Sequence, residues 1–308
     1  MKQLTIGIFH DENIGRELGK KGTESDILMF NRKTDESIFT FMYPVEDKIT
    51  PKSQIISSID VAIVVCEEIT PNLGETILLL DAVGISQGMI ITSPYMDTTR
   101  LTSMIKGTSL ESFILLERNI PEILKNLENV KTQRNITSPP VVVVDHSFSV
   151  KGVGEIILGF VKQGVIRKHD KVILLPAGKE VIVRSIQMQD KNYDEACAGD
   201  RVGLAIRGAT VDEMRRGSIL SSMESAKIDS KFVLSFNKNS FYPEIKKGIA
   251  HATVGMQTVP VNITELQNDS ITIESEKPIS YTSTDIFLLL DLNAKKLHLM
   301  GKGRITDN

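Results

Sequence analysis

Residues 139–222 constrain the fold more tightly than any other part of the chain. Apolar runs at 141–144, 155–161, 171–175, 181–183 and 202–206 are strand-length and rich in Val and Ile, β-branched residues that pack well on a pleated surface. Between them lie Lys151-Gly-Val-Gly154, Gln163-Gly164, Pro176-Ala-Gly178 and Ala198-Gly-Asp200, which carry turn chemistry. The break Thr137-Ser-Pro-Pro140 sets the stretch off from what precedes it. Short strands with glycine-rich corners and no helical spacing between them predict a small closed β-barrel.

The motifs on these strands are spaced as in a known family. Phe148-Ser-Val-Lys-Gly-Val-Gly154, Gly159-Phe-Val-Lys-Gln-Gly164, Ile182-Val-Arg-Ser-Ile-Gln-Met188, Ala198-Gly-Asp-Arg-Val-Gly203 and Arg216-Gly217 resemble the second domain of the translational GTPases. Elongation factor Tu belongs there, and the selenocysteine-specific elongation factor is the nearest flavour. The resemblance covers roughly eighty residues. It implies a three-domain architecture: a P-loop-GTPase-like parallel α/β domain over 1–136, then β-barrels over 139–224 and 227–308.

At 308 residues, 41% hydrophobic and 24% charged, the chain suffices for two or three domains with real cores. A net charge of −3 supplies no overall basic field. DNA is therefore not an expected partner, and an RNA contact would need a local patch. Cys66 and Cys197 stand alone, without a disulfide framework or metal-ligand spacing. No apolar stretch reaches membrane-spanning length, and the first residues lack the layout of a signal peptide. A cytoplasmic location and no membrane partner are expected.

Apolar strands at 4–9, 37–42, 61–65 and 88–92 alternate with helical spacing at 74–84, which ends on Gly, and at 120–130, which opens with Pro121. That alternation predicts a parallel α/β sheet, where the family holds its GTP-binding domain. A phosphate-binding loop needs small residues, a Lys for the β and γ phosphates and a Ser or Thr for magnesium. The first strand runs into Gly7-Ile-Phe-His-Asp-Glu-Asn-Ile14. Against the family's G-H-V-D-H-G-K-T, Glu12 replaces the second Gly, Asn13 the Lys and Ile14 the Thr. Losing a Lys-type hydrogen bond removes about 1.5–3 kcal/mol. A carboxylate about 4 Å from phosphate oxygens repels by up to about 4 kcal/mol at an effective dielectric near 20. Together they weaken binding by roughly four orders of magnitude.

Other family motifs are lost as well. The family's D-x-P-G-H falls on Met42-Tyr-Pro-Val-Glu46, which keeps only Pro44. The base-reading N/T-K-x-D falls on Thr92-Ser-Pro-Tyr95, with Asp97 two residues late. The segment between Ile14 and Met42 is short for the family's long switch loop. Neither GTP nor magnesium is expected as a cofactor, and the first domain reads as a degenerate, catalytically silent GTPase.

In family members the barrel wall corresponding to 184–190 and 198–207 faces the 3′ end of tRNA. The resemblance makes Arg184, Gln187, Gln189, Arg201 and Arg207 candidates for that contact, Gln187 lying where elongation factor Tu has a Glu beside the terminal ribose. Residues 139–226 hold twelve Lys or Arg against eleven Asp or Glu, so any basic patch there must be geometric. The β pattern resumes after Ala226 and resembles the family's third domain. There Lys246, Lys247 and Arg304 are the candidates for a tRNA T-stem. The sequence ends near Asn308, before the extra domain by which a selenocysteine factor reads its messenger hairpin, and that domain is not expected. The five histidines are scattered without metal spacing.

The expected function is that of an elongation-factor relative that binds an aminoacyl-tRNA or a translation-machinery protein and does not turn over GTP. A scaffold or regulator of a true translational GTPase is the alternative. A residual GTPase, with Lys20 or Lys21 swinging into the loop, is a further one.

Overall fold

The computed structural model describes residues 2–222 and 224–306; Met1, Met223, Asp307 and Asn308, which the expected spans include, lie outside the described residues. Its first sheet is built on β1 (Lys2–Phe9), whose residues from Leu4 to Phe9 are all buried. Continuous burial marks a strand covered on both faces. In chain order there follow α1 (Glu12–Leu18), β2 (Lys20–Glu24), β3 (Ile27–Lys33), β4 (Ser37–Pro44) and α2 (Ile49–Ile56). Then come β5 (Val61–Cys66), α3 (Pro71–Val83), β6 (Gly88–Thr92), α4 (Thr98–Ile105), β7 (Ile114–Glu117) and α5 (Ile120–Asn129). The sheet order is β2-β3-β4-β1-β5-β6-β7.

The pairings from β4 through β1, β5 and β6 to β7 are parallel, whereas β2, β3 and β4 pair antiparallel. The sheet is parallel from β4 to β7, as the alternation of strands and helices predicted, and continues at one edge into the antiparallel β3 and β2. The residues that would span a long switch loop form the β2–β3 hairpin, which buries Ile27, Leu28, Met29 and Phe30.

Local chemistry sets the helix ends. Thr70 accepts from the Leu73 N–H at 3.1 Å, Pro71 opens α3, and Gly84 closes it at φ 85°, a left-handed conformation a side chain would strain. α5 starts at the Asn119 cap and buries Ile123 and Leu127, one turn apart on its inner face.

From Val141 onward every element longer than a single helical turn is a strand. The first barrel rings Lys171–Leu175, Ile219–Ser221, Val141–Val150, Gly154–Gln163, Arg201–Arg207 and Lys179–Met188, and the last pairs back onto the first. Val142, Ile157, Val183, Leu204 and Leu220 fill its interior. A second closed barrel rings Lys227–Lys238, Ser270–Tyr281, Gln257–Leu266, Gly248–Val254, Phe287–Leu290 and Leu299–Ile305. By packing, the chain divides into one unit of Met1–Thr132, Asn237–Ile245 and Leu288–Lys302, and another of Gln133–Phe236, Lys246–Phe287 and Gly303–Asn308.

Candidate functional site: a refilled cleft and an open barrel wall

In the first unit, the loop after β1 and the start of α1 carry the residues expected at a phosphate cradle. His10 turns the chain at φ 74°, and Asp11 caps α1, its Oδ1 accepting from the Asn13 N–H at 2.8 Å. Helix N-terminal N–H groups are the donors that cradle phosphate. Here the chain's own carboxylate takes one of them and places a negative charge at the helix end. Arg118, just after β7, donates to Asp11 at 2.7 Å and to Glu17 at 2.7 Å, fixing that carboxylate.

The four sequence candidates at this loop separate. Gly7 stays within β1, where a Cβ would come within 2.8 Å of Ile59 and Phe9 side-chain atoms. Glu12 pairs one turn on with Arg16. Asn13 is exposed. Ile14, in the magnesium-ligand position, does not line a cradle: it is fully buried in the core with Ile6, Phe30 and Phe41.

Behind the loop lies a polar network that sequence reasoning missed. His10 Nδ1 lies 2.9 Å from Asp47 Oδ2, and Lys52 Nζ lies 2.8 Å from Asp47 Oδ1 and 2.7 Å from Asn72 Oδ1. Asn72 also donates to Asp47. Lys52 is 1% exposed. Burial lowers its pKa, opposed by the Asp47 charge. Burial acts to raise the Asp47 carboxyl, but the His10 hydrogen bond and the Lys52 charge outweigh it and leave it below the usual range. Tyr43, half-buried beside the network, is pushed up to about 12 by burial and by Asp47, Glu12 and Asp11. Glu46 and Asp47 both have positive φ, 54° and 52°. With His10 that makes three strained non-glycine residues in one cluster, each costing about 1–3 kcal/mol. The sequence signal was Lys52 on the same face of α2 as Ile55 and Ile56, an apolar-face position where a lysine needs a buried partner.

Asp97, near the expected base-reading position, caps α4 by accepting from the Arg100 N–H at 3.1 Å. Lys20 and Lys21 stand exposed on β2 at the sheet edge, with β3 and β4 between them and β1. Lys21 pairs with Glu24 at 2.8 Å. Among the described residues no group of three or more His, Cys, Asp or Glu is placed to hold a metal ion.

The second unit carries the barrel wall. Since Val202, Leu204 and Ile206 point inward, Gly203 and Ala205 face outward on the alternating strand. Register then aligns Gln187, Gly203, Leu158 and His146 in one row across four strands, and Ser185, Ala205, Ile156 and Phe148 in the next. Phe148 is exposed, with the His146 ring 5.9 Å away.

Gln187 is exposed and donates to Asn192 Oδ1 at 3.0 Å. Arg184 sits exposed at a bulge, donating to the Val153 carbonyl at 3.4 Å. Gln189 lies at φ 49° in the hairpin that follows. Arg207 ends its strand, exposed, opposite Ile182. Arg201 differs from these: it makes an ion pair of 2.9 Å with the buried Asp145, and its guanidinium lies 5.5 Å from the Phe160 ring centroid. Its donors hold the barrel wall together.

Lys246 and Lys247 are exposed ahead of Gly248–Val254, and Arg304 is exposed on Leu299–Ile305, donating to the Thr284 carbonyl at 3.2 Å. Phe287–Leu290 separates their two strands in the ring.

Residues 154–221 match the family model described as elongation factor Tu domain 2. Across 99% of its length the chain is 37% identical to an uncharacterised protein of Methanocaldococcus jannaschii, all of which it covers. It is 30% identical over 231 residues to the selenocysteine-specific elongation factor of the same organism. The chain belongs to the translational GTPase-like family. It spans only 48% of that selenocysteine-specific factor. Elongation factor 1-alpha of Thermoplasma volcanium is 34% identical over 106 residues, 34% of this chain and 25% of that protein. Translation elongation factor SelB of Methanococcus maripaludis, in complex with the GTP analogue GppNHp, superposes with a TM-score of 0.86. That match covers all of this chain and 79% of the other at 23% identity, and so establishes the shared fold. Within this translational GTPase-like frame, the first unit holds the family's strand order with an internal salt-bridge network at its loop. The barrel that carries the wall holds the residues that match elongation factor Tu domain 2.

Proposed function

We propose that this protein is an elongation-factor-like binding protein that has given up guanine nucleotide and uses its first barrel to hold the acyl end of an aminoacyl-tRNA in the cytoplasm. The observation that carries this reading is the contrast at one loop: Asp11 takes the Asn13 N–H at the α1 N-terminus, and the side chain expected to hold magnesium, Ile14, is buried in the core. These residues do not fit a triphosphate with its metal. A phosphate brought to this loop would meet the Asp11 carboxylate, with Asp47 and Glu12 on the neighbouring elements.

The outward rows of the first barrel support the binding half. Beside Gln187 lies Gly203, which carries no side chain, and the Phe148 ring in the next row is exposed. A flat purine or an aminoacyl group can stack there while the Gln187 amide meets a ribose hydroxyl. Arg184 and Arg207 are exposed cations in no ion pair among the described residues, whereas Arg201 is committed to Asp145.

The test is protection of the aminoacyl ester from spontaneous hydrolysis in a pool of acylated tRNAs, without added nucleotide. Slowed hydrolysis of at least one species, relieved by Gln187→Ala with Phe148→Ala, is the expected result. Unchanged hydrolysis of every species would contradict the reading.

A further inference from the structure

α3, α4 and the segments 237–245 and 288–302, all within the first unit, enclose an open groove of about 670 Å³. Its walls are apolar: Pro71, Ile77 and Leu78 of α3 face Met104, Leu297 and the 73% exposed Phe241 ring. Gly74 lies among them in the first turn of α3, its N–H donating to the Thr70 carbonyl at 3.1 Å. A Cβ built there meets nothing within 4 Å, and its backbone is ordinary helix. Neither packing nor backbone geometry requires glycine, and alanine is the better helix former. What Gly74 secures is open volume in the groove.

The groove is lined by two lysines and one carboxylate, that of Glu75, which is 6% exposed and already hydrogen-bonded. Lys106 and Lys296 line it, both exposed and neither within ion-pair distance of a carboxylate among the described residues. The acidic groups nearby are already occupied. Glu75 accepts from the Leu299 N–H at 3.3 Å and lies 3.0 Å from His298 Nδ1. Glu111 accepts from the Gly107 N–H at 3.0 Å, and Asp81 from the Ser109 N–H at 2.7 Å.

We propose that this groove is a binding site for a small amphiphilic anion: an aliphatic or aromatic body lying over Gly74, with a carboxylate or sulfonate head facing Lys106 and Lys296. The volume falls within the range of small-ligand clefts, which are mostly apolar with a few placed polar groups. None of its lining residues belongs to the His10–Asp47–Lys52 network or to the barrel wall.

The probe is 8-anilinonaphthalene-1-sulfonate, titrated into the full chain by fluorescence, with decanoate as competitor. The site predicts saturable one-to-one binding that decanoate displaces. Replacing both lysines, Lys106→Ala with Lys296→Ala, weakens it about tenfold. Gly74→Leu abolishes it. Gly74→Ala is the sharper variant, since it raises Tm while lowering affinity, which a merely structural role for the position would not produce. Ile249→Ser, at an exposed apolar residue of the second barrel, leaves binding unchanged. Probe binding indifferent to both Gly74 substitutions, or one that decanoate fails to displace, overturns the proposal.

Discussion

The charged loop after β1 in the first unit and the outer wall of the first barrel differ in where their polar groups point. At the loop, Asp11 accepts from the Asn13 N–H of α1, Asp47 faces His10 and Lys52, and Arg118 faces Asp11. Each charge is answered from within the chain. On the wall, Gln187, Arg184 and Arg207 are exposed, and Gly203 beside Gln187 carries no side chain. A site that satisfies its own charges is built to stand without a ligand, because its desolvation has already been met internally. A wall whose groups face outward is stable empty and still free to bind.

That contrast breaks most readily at Lys52. Lys52→Met leaves Asp47 without its cation in a mostly buried site and destabilises the protein by about 3 kcal/mol in denaturant unfolding. An unchanged midpoint would mean that the network does not support the loop. Ile14→Thr, which restores the family's hydroxyl, instead buries an unpartnered group in the core and costs about 2 kcal/mol. No nucleotide affinity should appear with it by equilibrium dialysis. Gln187→Ala on the wall should move unfolding by less than about 0.5 kcal/mol while weakening ester protection by about fivefold, equivalent to about 1 kcal/mol. Equal effects on stability and protection would erase the distinction between the two regions.

The smallest effect is on the acid side. The Asp47 carboxyl lies below its ordinary value in the fold. Its contribution is therefore complete above the unfolded carboxylate pKa and is lost as pH falls through the lower folded one. Asp47→Asn should flatten the stability profile below about pH 4. Lys52, lowered by burial, acts in the opposite range, its burial penalty easing as pH rises toward the ordinary lysine value. A profile for Asp47→Asn as steep as that of the parent would remove Asp47 from the account.

Much of the frame was legible because it is written in local patterns. The strands at β1, β4, β5 and β6, the helix ending at Gly84 and the five apolar runs of the first barrel follow from periodicity and turn residues. The β2–β3 hairpin was missed because Lys20–Glu24 is almost wholly polar and is held only by its neighbour. Lys52 and Asp47 meet because α2 packs beside β4, a tertiary fact with little local trace. Ile14 was visible as the wrong residue for magnesium, but only packing shows that it belongs to the core. Arg201 and Arg184 look alike in sequence; the bulge between Val144 and His146 that turns Asp145 to Arg201 separates them.

The most direct measurement of the central claim is isothermal calorimetry of the full chain with GTP and with GDP in magnesium buffer. No binding heat at near-millimolar nucleotide is the predicted result, with unfolding temperature likewise unmoved by either. A micromolar dissociation constant for either nucleotide would contradict the account, since Asp11 and Ile14 would then have to leave the places they occupy.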